Sequence, residues 1–475
     1  MEKLIGRTEE FKLLNALKDR NRSDFVAVFG RRRVGKTFLI RTVFEDQFSF
    51  QLTGLAKGGL REQLINFHAA LVRKNSKNKT GQDIPLAKTW FDAFQQLITY
   101  LESLPEGRKV IFLDELPWMD TPQSRFVSAL EHFWNSWASA RSDILLIACG
   151  SAASWMIHSL LMNTGGLYNR VTHRLKLEPF TLAECEAYFQ ERGAAFNRYQ
   201  LVQLYMVLGG IPFYLEQVDT GKSALQNIND LCFAPNGFMQ TEFIYLFASL
   251  FKQSDRHLAV VDALAQKAKG LSRDELLKKS KLADGGSATK VLRELEESNF
   301  IRKYNAFSSR DKNGIYQLTD FYTFFYLKFI RKSDTLDNYV WGADVPEFTA
   351  WSGYAFEQVC LQHTPQLKRA LHIGGVITRS SAWLGSDGTR KAQIDLVIDR
   401  RDGVINLCEM KFSTGTFTIS KAYAAELREK VSIFKESTKT RKAVYLTMVT
   451  TYGLTRNHPE TGLIQNELTM DVLFN

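Results

Sequence analysis

The chain has 475 residues, 45% hydrophobic, 12% aromatic and 24% charged, which is ample core for a folded protein and excludes disorder as its main state. At roughly 150 residues per domain, this length predicts about three domains. Lys and Arg number 61 against 51 Asp and Glu, a net charge of +10 that favours association with polyanions. The five cysteines (Cys149, Cys185, Cys232, Cys360, Cys408) are far apart and lack CxxC or Cys/His spacing, which argues against a disulfide frame or a zinc ribbon. MEKLIGRTEE has no apolar h-region, and no stretch approaches the ~18 apolar residues of a spanning helix, so a soluble, cytoplasmic protein that avoids membranes is expected.

From residue 1 to about 251, short apolar runs alternate with longer helical patterns, the grammar of a parallel sheet flanked by helices. Phe25 to Phe29 reads as a buried strand that enters Gly30-Arg31-Arg32-Arg33-Val34-Gly35-Lys36-Thr37, followed by the helical Phe38-Leu39-Ile40. This is GxxxxGK[ST] in a strand-loop-helix context. The glycines let backbone N–H groups curl around phosphate oxygens, Lys36 reaches the β/γ-phosphates, and Thr37 is placed to ligate Mg²⁺. A second strand, Val110 to Leu113, ends in Asp114-Glu115, expected to hold Mg²⁺ and to polarise the attacking water as general base, respectively. A third, Asp143 to Ala148, ends in Cys149-Gly150-Ser151, where Ser151 is either a γ-phosphate sensor or an ordinary turn residue.

With these motifs the chain resembles the archaeal-type ATPases of the wider AAA+ and STAND group, relatives of origin-binding initiator ATPases, over roughly Leu4 to Leu215. Ile5-Gly6-Arg7 with Glu10 is similar to the N-terminal box over the adenine, and Gly209-Gly210-Ile211-Pro212 to the Gly-x-Pro motif that opens the helical lid. The resemblance implies ATP and Mg²⁺ as ligands, and Arg170, with Arg174 as the alternative, as the γ-phosphate arginine, within or between subunits. Such a role suits a planar, permanently charged fork.

Residues 252–334 hold 17 basic and 11 acidic residues. Ser272-Arg273-Asp274-Glu275 is a capping box that opens a short helix, Glu275 to Lys279. Ser287 then caps a second helix with Val291, Leu292 and Leu295 on one face, and Phe300 to Tyr304 and Ile315 to Leu318 read as two strands around a turn. Helix, turn, helix and two-stranded wing make a winged helix. Lys290 and Arg293 on the second helix and Arg302, Lys303, Arg310 and Lys312 on the wing are the expected phosphate contacts. Glu294, Glu296 and Glu297 on the same helix oppose that reading and favour protein packing or regulation of the ATPase instead. The aromatic Phe321 to Ile330 reads as a buried connector helix.

Further on, Asp395 and Glu409-Met410-Lys411 lie on two expected strands joined at Asp402-Gly403, so that Asp395 comes beside Glu409 while Glu409 and Lys411 share a strand face. Carboxylate oxygens suit Mg²⁺ or Mn²⁺, and Lys411 is placed to orient water or to stabilise developing charge. The pattern resembles the PD-(D/E)xK nuclease core. Glu357, in Gly353-Tyr354-Ala355-Phe356-Glu357, resembles its upstream acid, although Ile394 stands where a proline usually precedes the aspartate. Over Trp351 to Val449 the chain resembles the DUF234 domain that often follows archaeal-type ATPases.

The expected architecture is therefore α/β: a P-loop ATPase core (1–180), a helical lid (181–251), a winged-helix domain (252–335) and a C-terminal α/β restriction-endonuclease-like domain (336–475). The expected function is ATP-dependent control of a metal-dependent nuclease on DNA or RNA, an architecture that would suit defence or mobile-element biology. The rivals are a non-nucleolytic DNA-binding regulator and an ATP-dependent scaffold. A homo-oligomer or an unidentified protein partner is compatible with each.

Overall fold

The computed structural model describes residues 4–475 except 46, 78–83, 163–165, 168, 252, 305–306, 308–313, 334–340, 343–345, 387–389 and 457–458. Two compact units result, Met1–Pro179 and Phe180–Asn475. The first runs α1 (Thr8–Lys18), β1 (Asp24–Gly30), α2 (Lys36–Phe44), β2 (Phe50–Thr53), α3 (Leu60–Lys77), α4 (Trp90–Glu102), β3 (Lys109–Asp114), α5 (Leu116–Met119), α6 (Phe126–Ser136), β4 (Ile144–Gly150), α7 (Ala153–Trp155) and β5 (His173–Leu177). Every residue of β1, β3 and β4 is buried. Such continuous apolar runs belong in a parallel sheet covered on both faces.

The strand order is β2-β3-β4-β1-β5, with every pair parallel. Helices α3, α4 and α6 fill one face with Phe67, Trp90, Phe94, Phe126 and Phe133, and Trp90 meets Phe126 at a centroid distance of 4.8 Å. Each such buried aromatic stabilises by roughly 1.5–3 kcal/mol. Thr89 and Asp92 form a reciprocal capping box at the start of α4.

The second unit begins with helices α8 (Leu182–Glu191), α9 (Arg198–Leu208), α10 (Pro212–Leu215), α11 (Ala224–Cys232), α12 (Phe238–Leu250) and α13 (Ser254–Ala265). Gly209 and Gly210 end α9 with φ of 69° and 66°, and a Cβ at Gly210 would lie 2.2 Å from the Phe180 carbonyl oxygen, so the turn requires glycine. There follow β6 (Leu271–Ser272), α14 (Arg273–Ser280), α15 (Gly286–Glu297), β7 (Ile301–Tyr304) and β8 (Ile315–Leu318), the strands forming a small antiparallel sheet in the order β6-β8-β7. The Ser272 capping box is formed. Ser287, expected as a cap, instead lies inside α15, whose N-cap is Gly285. The Gly285-Gly286 pair lets the helix start two residues earlier.

Phe321 to Ile330 is buried throughout except Lys328, and runs as α16 (Phe321–Phe325) and a wider helical turn (Tyr326–Ile330) into α17 (Arg331–Ser333). After α18 (Pro346–Gln362) and α19 (Thr364–Ala370) come β9 (Thr378–Ser386), β10 (Lys391–Arg400), β11 (Val404–Lys411), α20 (Lys421–Thr438), β12 (Ala443–Thr450) and β13 (Asn466–Thr469). Their sheet has the order β13-β12-β11-β10-β9, with β9, β10 and β11 antiparallel and β11, β12 and β13 parallel. Trp383, Ile394, Val397 and Leu407 pack beneath Leu427 and Phe434 of α20. All five cysteines are free and buried. No helix among the described residues is long and apolar enough to cross a membrane.

Candidate functional sites

In open parallel sheets, ligands bind outside the carboxyl ends of the strands. Because β4 lies between β1 and β3, the ends of these three strands bring the phosphate loop, Gly150-Ser151 and Asp114-Glu115 together. Gly30 has φ 144°, and a Cβ there would stand 2.3 Å from the Leu177 carbonyl oxygen; Arg33 and Gly35 turn the loop with φ of 72° and 88°. Lys36, buried at the start of α2, donates to the carbonyl oxygens of Gly30 at 3.0 Å and Arg31 at 2.9 Å. Burial pushes its ammonium pKa down, and Cys149, Glu115 and Asp114 oppose that shift. The Thr37 hydroxyl donates to Asp114 Oδ2 at 2.9 Å.

Glu115 is held at φ 51°, a left-handed conformation that costs a non-glycine residue about 1–2 kcal/mol. Its carboxylate accepts from the Ser151 backbone N–H at 3.2 Å and from the Ser151 hydroxyl at 2.7 Å. The hydroxyl of Ser151 thus engages the carboxylate of Glu115, a contact that neither sequence expectation for Ser151 included.

Arg7 is buried, and its Nη2 donates to Val34 O at 3.1 Å, tying the Gly6-Arg7 segment to the loop. Phe38 is exposed. Arg170 lies exposed in the turn before β5 with its N–H on Leu167 O, and among the described residues no hydrogen bond or ion pair joins it to Lys36, Asp114 or Glu115. Arg174 is exposed on β5. Pro212 opens α10 in the second unit.

In the second unit, β10 and β11 pair with Leu396 opposite Cys408, so Asp395 and Glu409 are next in register. The β9–β10 pairing shifts between Ile394 and Val397, a bulge at Asp395 of the kind that re-aims a side chain. Glu357 on α18 faces the same place: burial, Asp395 and then Glu409 push its carboxyl up to about 8, against Lys269 and Lys411. Asp395 accepts from Gln393 Nε2 at 2.9 Å. Glu409 accepts from Lys430 Nζ at 2.9 Å and Tyr423 Oη at 3.3 Å, and the Lys411 ammonium lies 4.6 Å from the Tyr423 ring centroid. Among the described residues, no three His, Cys, Asp or Glu side chains converge at metal-ligand geometry.

Gln393, Tyr423, Lys430 and Lys269 were not anticipated. Gln393 shares the strand face of Asp395 by alternation, and Tyr423 and Lys430 are seven apart on one helix, so both spacings were visible; that Glu409 was their target was not.

Lys290 and Arg293 are exposed on α15, and Lys290 pairs with Glu294 at 3.9 Å. Arg302 corrects an expectation. Its Nη2 donates to Gln358 at 3.2 Å and its guanidinium stacks 4.0 Å from the Tyr304 ring centroid, so it faces inward and is not a free wing contact. Lys303 is half-buried, and its backbone N–H contacts Glu296. Arg310 and Lys312 lie outside the described residues.

Residues 4–218 match the family model of an ATPase domain found predominantly in Archaea. The Methanocaldococcus jannaschii protein MJECL04, itself uncharacterized, is 24% identical over 405 residues, covering 83% of each chain. The Walker-type ATPase PABY2304 of Pyrococcus abyssi has a similar fold, with a TM-score of 0.50 at 17% identity over 68% of this chain and 96% of that one. The Aeropyrum pernix ORC2 protein, solved as ADPNP and ADP complexes, matches with a TM-score of 0.42 at 15% identity over 70% of this chain and 94% of that one. The phosphate loop, its acidic partner strand and the family match together identify an archaeal-type P-loop ATPase domain in this chain.

Proposed function

We propose that the chain binds and hydrolyses ATP and uses its nucleotide state to control a metal-dependent, nuclease-like domain acting on nucleic acid, with DNA as the first substrate to test. The observation that carries the ATP reading is the Thr37–Asp114 hydrogen bond beside buried Lys36. A hydroxyl and a carboxylate in contact are a donor set suited to Mg²⁺, which when bound with ATP neutralises phosphate charge. Lys36 would exchange its two carbonyl acceptors for phosphate oxygens, and Glu115, oriented by Ser151, would take the proton of the attacking water. Gly6, Arg7, Val34, Gly35 and Phe38 would frame the nucleotide, with Arg170 as the γ-phosphate arginine and Pro212 opening the lid. We read 1–180, 181–251, 252–335 and 336–475 as core, lid, winged helix and nuclease-like domain.

The nuclease half rests on the pairing of β10 with β11, which carry Asp395 and Glu409, and on Glu357, whose carboxyl is raised to about 8 by burial first and then by the charges of Asp395 and Glu409. Repelling acids held together with Lys411 are suited to sharing a cation. The oxygen donors fit Mg²⁺ or Mn²⁺ once Lys430 releases Glu409; the ion would polarise the scissile phosphate and acidify a water. The Lys430–Glu409 contact also favours a second reading, a nucleic-acid-binding regulator with a closed site. Incubation of the protein with single- and double-stranded DNA and RNA, Mg²⁺ or Mn²⁺, with and without ATP, separates the two. Cleavage lost in Glu409→Ala supports the nuclease, and Lys36→Ala reports whether ATP gates it; intact ATP hydrolysis with no cleavage in any lane supports the regulator.

A further inference from the structure

A cavity of about 420 Å³ lies within the second unit, lined by residues of β7, α18, α19, β9 and β10, none of them a residue assigned above to the nucleotide site or to the Glu357, Asp395 and Glu409 cluster. Among the described residues that line it, four are cations (Arg302, Lys303, Lys368, Arg379) and none is acidic. Arg302 and Tyr304 stand two apart on β7, and Arg379 and Ser381 two apart on β9, so strand alternation turns each pair to one side. Ser381 is only 4% exposed, and among the described residues its hydroxyl has no hydrogen-bond partner; Arg302 Nε and Tyr304 Oη are likewise buried without one there. All three atoms can donate a hydrogen bond. A buried polar atom left unpaired costs about 1–3 kcal/mol, and the three residues that carry these atoms all line one cavity. Burial pushes the Arg302 pKa down to about 10 and lowers that of Lys368, as expected where buried positive charge lacks a counter-charge.

We propose that this cavity binds a phosphate monoester on an organic group of nucleotide size. A phosphate presents only acceptor oxygens and up to two negative charges, and so suits both the donors these residues carry and the positive charge of Arg302, Lys368 and Arg379. Leu361, Pro365 and Leu396 add apolar wall for the attached group, and the volume falls within the range of small-molecule pockets, ~300–1,000 Å³. The phosphate belongs either to a free nucleotide or to the 5′ end of a strand. The proposal does not depend on the nuclease reading.

The test is calorimetric titration of the full chain carrying Lys36→Ala, which silences the phosphate loop, with AMP, adenosine, and a tetranucleotide bearing either a 5′-phosphate or a 5′-hydroxyl. Saturable binding of a phosphorylated probe is expected, weakened at least ~10-fold by Lys368→Ala with Arg379→Ala and several-fold by Ser381→Ala, since charge-assisted hydrogen bonds are the strong ones. Neither Lys368 nor Arg379 is fully buried, so that pair keeps the test open if Arg302→Gln fails to fold. Tighter AMP than 5′-phosphorylated tetranucleotide assigns the free nucleotide, and the reverse order assigns the strand end. Equal binding of phosphorylated and unphosphorylated probes, no saturable binding of either phosphorylated probe, or affinities unmoved by the double substitution overturns the proposal.

Discussion

Glu115 combines a left-handed backbone with a carboxylate gripped by Ser151, so its direction is set by the tertiary fold and not by rotamer preference. Replacing Glu115 with Gln is expected to lower ATP turnover by 10²-fold or more while leaving ATP binding intact, because only proton transfer is lost. Ser151→Ala keeps the backbone N–H and removes the hydroxyl, and should lower kcat about 10-fold with little change in KM. Steady-state ATPase assays check both, and a Ser151→Ala effect confined to KM would contradict a positioning role. At Gly30, alanine would drive a Cβ against Leu177 O and hold φ at 144°, so Gly30→Ala should cost at least ~1–3 kcal/mol, read as a lower thermal midpoint. The glycine and lysine of the loop were legible because their roles depend on immediate neighbours. Arg302 was misread because alternation along β7 says which side it faces but not what covers that side.

Elements differed in legibility according to their place in each sheet. The five strands that carry no clear sequence signal, β2, β5, β6, β9 and β13, all lie at sheet edges. Edge strands lose the continuous apolar run that marks a covered strand: β5, for example, alternates exposed Arg174 and Lys176 with buried Leu175 and Leu177. Between helices, His363 accepts the Leu182 N–H at 3.0 Å at the start of α8, and its other ring nitrogen lies 2.8 Å from Val359 O, an arrangement that needs the neutral ring. Burial lowers its pKa from 6.5 to about 4. The unfolded chain therefore binds more protons between these values, so this contribution is complete above pH ~6.5 and is lost as pH falls towards 4, by up to ~3 kcal/mol. Denaturant unfolding at pH 7.5 and pH 5 should show that loss, and His363→Gln should flatten it. At α14, Ser272→Ala removes a capping-box acceptor and should cost about 1 kcal/mol in the same assay.

Across the whole molecule, the +10 charge is uneven, with 17 basic and 11 acidic residues in 252–334. If this segment meets DNA through Lys290 and Arg293, log K should fall linearly with log salt, and replacing both by alanine should reduce the slope by about 2. Binding isotherms from 50 to 200 mM salt measure it, and a flat salt response would remove nucleic acid from the proposed partners. The acids on the same helix are partly engaged elsewhere, Glu294 with His257 at 2.8 Å, so the negative count read along α15 overstates the charge it presents.

The sequence by itself determined the phosphate loop, its acidic partner strand and the neighbouring strands that carry Asp395 and Glu409. Each of these is encoded in contiguous residues or in two strands joined by a short turn, where spacing alone sets geometry. Tertiary structure alone decided that Ser151 grips Glu115, that Lys430 and Tyr423 hold Glu409, and that Arg302, Lys368, Arg379 and Ser381 line one cavity. These contacts join elements whose mutual approach is set by how sheets and helices pack, and no local periodicity carries that information.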